Sequence, residues 1–357
     1  MDKEFANWPD DRIFRTFCTY CERLAFFDML NDAIVIVAAT SGAIMFMNER
    51  ARAMYGYGMS ETAALGLDDI AAGTGPGLGR TLTEITAAGS AGLVFSAIRR
   101  RKSGELFPVG VSARQMRLHG TEIVAFLERD LTADLATREE VILAGKVQQG
   151  MLPPDFANER VAVATVYQPH HHVSGDIYDY KWHAAGAILA GYVADVMGHG
   201  VATAIRTAAL QVHFRRALET GEPPDGQLAG VNAAAAGCFA ADSFAAAIMF
   251  AADFDQGVLH YAAAGINHFI VYRDGSYRVE KSPGLFLGIT PEEEFTACRL
   301  CFRPGDGFVF LSDGLFELLP ATDDYPGSFE AMGPWLRQVA ARTGRRDDAA
   351  ALCLMVK

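Results

Sequence analysis

Four aspartates in the second half of the chain, Asp176, Asp195, Asp313 and Asp347, each read as the point where an apolar run gives way to a turn. Their contexts are Ser174-Gly175-Asp176, Ala194-Asp195-Val196-Met197-Gly198-His199-Gly200, Ser312-Asp313-Gly314 and Arg346-Asp347-Asp348. A carboxylate at the end of a buried strand is costly unless something positive meets it. One such residue is an ordinary turn former; four spread over about 170 residues point to a single convergent cation site. The fold must bring those turns together.

With 357 residues, half of them apolar, the chain can bury two separate cores. A net charge of -12 argues against the basic face that a nucleic-acid surface needs. The apolar stretch Ala33 to Met47 is broken by Thr40-Ser41-Gly42 and is too short to span a bilayer. The start, MDKEFANWPDDR, is acidic and lacks the basic and apolar regions of a signal peptide. The expectation is a cytoplasmic protein with neither membrane nor nucleic-acid partners. Six cysteines make no disulfide framework in a chain of this length. The Cys18/Cys21 pair falls on a helical apolar stripe and Cys298/Cys301 within a strand, so a shared zinc site is not expected. There is neither a Cys-x5-Arg loop nor a Walker motif.

Apolar residues from Ile13 to Leu30 recur at helical spacing. A hairpin follows, Ala33–Val37 and Ile44–Met47, then short helices through Tyr55 and Ala64, then strands near Leu93–Ala97, Leu106–Val111 and Glu122–Phe126. This is the pattern of a small α+β sensor-like domain. The run FMNERARAMYGY, the later RRKSGELFPV and the closing VAFLERDLT resemble a PAS domain over roughly residues 22 to 132, with Asn48 and the Lys102–Phe107 hairpin the most specific parts. The resemblance implies a small-ligand or dimerising role. The cysteine motif of flavin-adduct members is absent, and the only histidine before residue 170 is His119, in an apparent turn. Neither covalent flavin nor haem is expected.

Leu131, Leu135, Val141, Ile142, Val147 and Met151 mark one amphipathic helix ended by Pro153-Pro154. It reads either as a solvated spacer or as a two-stranded coiled coil whose stripe is interrupted at Gly145 and Gln148. The expected division is a helical segment over 1–21, a PAS-like domain over 22–130, a linker helix over 131–152 and an output domain over 153–357.

The output domain shows strand-like runs at Val161–Val166, Ala187–Val196, Phe244–Phe250, Val258–Ala264, Phe269–Tyr272, Phe295–Phe302, Gly307–Leu311 and Ala350–Val356. Helical segments at Ala202–Leu218, Gln227–Ala240 and Glu330–Ala341 complete an α+β two-sheet sandwich flanked by helices. Oxygen-only ligands suit Mg²⁺ or Mn²⁺ rather than zinc, and Gly175, Gly198, Gly200 and Gly314 let backbone carbonyls approach. Two ions sharing one carboxylate can activate a water against a phosphate monoester without a side-chain nucleophile.

The same residues resemble the SpoIIE/RsbU-type metal-dependent protein phosphatases. The blocks are Gln148-Gln149-x-Met151-Leu152-Pro153, Val173–Asp179, Asp195–Gly200, Leu259–Gly265, Pro283–Ile289, Arg303–Asp306, Leu311–Glu317 and Asp347-Asp348, in family order from 148 to the C-terminus. The resemblance implies that Asp195 bridges two ions, with the Val196 carbonyl on one. Asp313 and Asp347 complete that ion's shell, with Asp348 as the alternative to Asp347, and Asp176 holds the second ion through water. Glu317 orients a helix. Ser174 replaces a family glycine, Ile266-Asn267 interrupts the usual Ala-Gly-His, Ala350 replaces a threonine, and Met197 leaves no histidine acid there. His199 takes a supporting place near the metals, and His170-His171-His172 forms an exposed loop, since neighbours in a strand cannot all face one ion. The implied activity is PAS-regulated serine/threonine phosphoprotein hydrolysis, with a phosphorylated anti-sigma-factor antagonist as substrate and a homodimer formed through PAS domain and linker. The alternative is a catalytically silent partner-binding module on the same fold.

Overall fold

The computed structural model describes residues 27–72, 78–118, 120–235, 237, 239, 243–290, 292–342 and 346–357. The expected helix over 1–21, with Cys18 and Cys21, and the turn at His119 lie outside the described residues. The chain divides into two compact units between Arg138 and Glu139.

In the N-terminal unit, β1 (Ala33–Ala38) and β2 (Ile44–Met47) precede helix α1 (Glu49–Tyr55) and helix α2 (Leu78–Ala88). Then β3 (Leu93–Arg100), β4 (Leu106–Leu118) and β5 (Thr121–Asp130) complete an antiparallel sheet of order β2-β1-β5-β4-β3. Asn48 is the joint between strand and helix. Its Oδ1 accepts from the Ala51 and Ile34 amides, both at 2.9 Å, and its Nδ2 donates to the carbonyls of Phe27 and Asp32. A short polar side chain at the helix N-cap thus also ties down the chain entering β1. Tyr55, Phe107, Phe126 and Ile85 fill the core. Inside it, the buried Glu128 accepts from Arg99 Nε and Nη2 at 2.9 and 2.6 Å and from the Tyr55 hydroxyl.

Helix α3 runs unbroken over Thr132–Gly150. Leu135, Leu143 and Val147 are exposed along it, whereas Gly145 is buried. A Cβ there would stand 1.7 Å from the His172 carbonyl oxygen. The apparent interruption of the apolar stripe is therefore where the helix packs on the His172 backbone, within the C-terminal unit.

That unit contains β6 (Phe156–Ala157), β7 (Val161–Gln168), β8 (Asp176–His183), β9 (Ile188–Val196), helices α4 (Val201–Thr220) and α5 (Pro224–Ala235), then β10 (Ala245–Asp253) and β11 (Val258–Ala264). The chain continues through β12 (His268–Arg273), β13 (Ser276–Lys281), β14 (Cys298–Cys301), β15 (Gly307–Leu311), the short helix α6 (Asp313–Phe316), α7 (Met332–Ala340) and β16 (Ala349–Val356). Two sheets of order β14-β11-β10-β9-β8 and β13-β12-β15-β16-β7-β6 form a sandwich. Its central core includes Phe250 and Phe310, stacked at 4.2 Å. Helices α4 and α5 cover one sheet through Leu210, Phe214, Leu228 and Val231, and α7 covers the other through Leu336 and Val339. The flanked sandwich matches the sequence expectation. Three strands depart from it: the two-residue β6; β8, an edge strand whose polar residues break up any apolar run; and β13, joined to β12 by a turn with positive φ at Asp274 and Gly275. Cys298 and Cys301 share strand β14 and are free thiols.

Candidate metal centre

Antiparallel pairing gathers the aspartates. Strands β8 and β9 set Asp176 directly opposite Asp195. Strands β15 and β16 pair Leu311 with Ala351, which brings the exit of one strand, Ser312-Asp313, to the entry of the other, Asp347-Asp348. Only Asp195 and Asp313 lie at strand exits; Asp176 opens β8 and Asp347 precedes β16. The expectation that all four end apolar runs is corrected: two end strands and two begin them.

Asp176 is 1% exposed. Its Oδ2 accepts from the Ser312 hydroxyl at 2.6 Å, and Ser312 Oγ in turn accepts from the Ala350 amide at 3.0 Å. Ser174, in place of a glycine, accepts from the Asp176 amide at 3.0 Å. Two glycines permit close approaches in the site: a Cβ at Gly175 would lie 2.6 Å from the Val196 carbonyl oxygen and 3.5 Å from Asp195 Oδ1, and one at Gly314 would lie 2.1 Å from the Asp348 carbonyl oxygen. The Val196 carbonyl therefore lies beside the aspartate pair.

The doublet divides its work. Asp348 is buried and accepts from the amides of His170 and Gly175, at 2.6 and 2.7 Å. Asp347 is exposed, with Oδ1 accepting from the Asp348 amide at 2.8 Å. Asp313 is partly open, but its Oδ1 is buried without a hydrogen bond, 3.7 Å from His268 Nε2. Glu317 is exposed beyond α6. The loop at His170–His172 is exposed, as expected, and the His171 ring lies 5.7 Å from that of the exposed His199. Ile266 is fully buried, whereas Asn267 is exposed.

The electrostatics follow from this crowding. Burial and then Asp195 hold Asp176 well above the usual carboxylate range, against the Ser312 bond. Burial, with Asp347, Asp313 and Asp348, pushes Asp195 up to about 7. Burial raises Asp313, with His268 opposing. Among the described residues none of these five carboxylates is paired with a lysine or arginine. Nor are any three His, Cys, Asp or Glu side chains already closed to ligand distances. The donor set fits a hard divalent cation: it is oxygen-only, and its mutual repulsion is what such a cation cancels.

Sequence reasoning missed several supporting residues. Ser312 bridges Asp176 to β16. Gln148 on α3 donates to the Ser174 carbonyl at 2.8 Å and accepts from its amide at 2.9 Å. His268 stands at Asp313. The hydroxyl before the Asp-Gly turn and the glutamine before the Pro-Pro stop were the available signals for the first two.

Residues 186–357 match the family model of stage II sporulation protein E (SpoIIE), and residues 31–133 match that of the PAS domain. The chain carries a PAS domain followed by a SpoIIE domain. The family match begins after Asp176, and the pairing of β8 with β9 is what brings that residue to the site. Phosphoserine phosphatase RsbP of Bacillus subtilis (strain 168) is 26% identical over 209 residues, 54% of this chain and 51% of the relative. Phosphoserine phosphatase RsbU of the same strain is 25% identical over 183 residues, 50% of this chain and 54% of the relative. The alignments thus span about half the length of these curated relatives. The SiaA-PP2C domain of Pseudomonas aeruginosa matches with a TM-score of 0.50 at 19% identity, covering 64% of this chain and 100% of that one. That likeness shows the PP2C-like fold.

Proposed function

We propose that this chain is a cation-dependent serine/threonine phosphoprotein phosphatase whose SpoIIE domain is controlled by its PAS domain. The observation that carries the reading is the convergence of Asp176, Asp195, Asp313 and Asp347, repelling one another without a lysine or arginine partner among the described residues. Two Mn²⁺ or Mg²⁺ ions bound there would supply a water of lowered pKa and neutralise phosphoryl charge. Asp195, opposite Asp176 and beside the Val196 carbonyl, would hold both ions. Asp313 contributes from the entry of α6. Asp347 is preferred over Asp348, because both oxygens of Asp348 already accept backbone amides. Ser312 orients Asp176 by donating to Oδ2, leaving the other oxygen to hold a water.

The substrate supported by the sequence resemblance is a phosphoserine on a small anti-sigma-factor antagonist in a bacterial partner-switching pathway. The relatives named phosphoserine phosphatases support the reaction class. A homodimer through PAS domain and linker is supported by the exposed Leu135, Leu143, Val147 and Met151. A cytoplasmic setting accords with the absence, among the described residues, of any helix long and apolar enough to cross a membrane. The boundaries 22–130, 131–152 and 153–357 remain the proposed working domains.

The test is hydrolysis of p-nitrophenyl phosphate and of a phosphorylated antagonist with Mn²⁺, for wild type and Asp195→Ala. Wild-type turnover should require Mn²⁺, and the variant should lose at least about a hundredfold. Wild-type protein with no Mn²⁺-dependent turnover on either substrate would favour the silent partner-binding alternative and sink this reading.

A further inference from the structure

We infer that His268 is a positioning residue for Asp313, holding one carboxylate oxygen so that the other is presented to a cation. The inference rests on the metal-dependent reading above and adds to it a residue outside the aspartate set.

Strand pairing delivers the histidine. β12 and β15 run antiparallel with Ile270 opposite Val309, so His268, two residues earlier on β12, comes alongside the end of β15 where Ser312-Asp313 begins. The ring is fixed from the other side by Phe316, three residues after Asp313 on α6, with centroids 3.5 Å apart. The imidazole and the helix that Asp313 opens are therefore packed against each other. Within it, His268 Nε2 and Asp313 Oδ1 are each buried without a hydrogen-bond partner, and they face each other at 3.7 Å. Two buried polar atoms left unpaired are costly. A closure of roughly 0.7 Å, the difference from an ordinary N–H···O distance, would satisfy both.

The surroundings give this closure a direction. Gly265, Asn267, His268, Asp313, Phe316 and Glu317 line a pocket of about 210 Å³, so Asp313 has room to rotate. Its side chain is 49% exposed although Oδ1 is covered, which divides the carboxylate into a sheltered oxygen and an accessible portion. The sheltered oxygen belongs to His268 as donor in its Nε2–H tautomer. The remainder is directed to the cation. Supporting hydrogen bonds of this kind orient ligating groups, and losing one typically weakens metal affinity by about 10–100-fold.

The experiment is calorimetric titration of the full-length chain with Mn²⁺, metal-stripped beforehand, for wild type, His268→Ala, His268→Phe and His268→Gln. Thermal unfolding in chelator runs alongside. His268→Phe keeps a ring on Phe316 but no donor, and His268→Gln restores a donor near the Nε2 position. The expected result is Mn²⁺ binding about tenfold or more weaker for Ala and Phe, recovered to within about threefold of wild type by Gln, with the chelated Phe variant melting with wild type. Phe binding as tightly as wild type would overturn the inference, as would Gln binding as weakly as Ala and Phe. Wild-type protein that takes up no Mn²⁺ would instead remove the metal-dependent reading itself.

Discussion

Glu128 in the PAS domain and Asp195 in the SpoIIE domain are both carboxylates on sheets packed in apolar cores, and the protein treats them in opposite ways. Glu128 is 1% exposed and fully answered from within, by two nitrogens of Arg99 and the hydroxyl of Tyr55. Burial alone would lower the Arg99 pKa, yet Glu128 holds it raised. Asp195 is surrounded by four more carboxylates and by no paired lysine or arginine among the described residues. A buried charge with an internal partner is part of a fold's framework, whereas a cluster without one is built around something the chain does not supply.

The largest expected effect tests the answered charge. Arg99→Met leaves Glu128 buried and unpaired, and should destabilise the PAS domain by about 3–5 kcal/mol in urea unfolding of the full chain. A loss below about 1 kcal/mol would mean that Glu128 is not held by its ion pair, and the contrast would collapse.

The unanswered charge should behave in the reverse sense. Asp195 titrates at about 7 in the folded chain but near about 4 when unfolded, so the fold binds its proton more tightly. Its contribution to metal-free stability is full below about pH 4 and lost as the pH rises through about 7. Asp195→Asn should therefore stabilise the chelated protein at pH 8 by on the order of 2 kcal/mol and flatten its pH profile between 4 and 8. Urea midpoints across that range check it; a variant less stable than wild type at pH 8 would show that the repulsion is already relieved.

A smaller effect sharpens where the cluster gets its order. The segment leading to Asp176 is held by neutral bonds from Gln148 on the linker helix, not by an ion pair. Gln148→Ala should cost about 1 kcal/mol and shift the basal Mn²⁺-dependent rate of the full chain. An unchanged rate would separate the linker from the metal-bearing turns.

Much of this was legible in advance. The PAS resemblance singled out Asn48, and the structure gives the reason in its four hydrogen bonds across strand, helix and incoming chain. The many strand-like runs with a few intervening helical segments pointed to the flanked sandwich. β8 was not legible, because an edge strand tolerates polar residues that an apolar-run search discards. Gly145 and Gln148 looked like flaws in a coiled-coil stripe and are contact points instead, a distinction that requires knowing what lies across the helix.

By itself the sequence determined the chemistry on offer: oxygen donors at turns, glycines beside them, no nucleophile motif, and two domains with separate cores. Those are properties of residue type and local spacing. Only the tertiary structure decided how adjacent residues divide their roles. Asp348 turns to amides 178 and 173 residues away, at His170 and Gly175, while Asp347 stays open. Ser312 reaches Asp176 across 136 residues, and His268 meets Asp313 through strand pairing. Neighbours in an extended chain point to opposite sides, and which side faces the site depends on pairing between segments far apart in sequence, information that local composition does not contain.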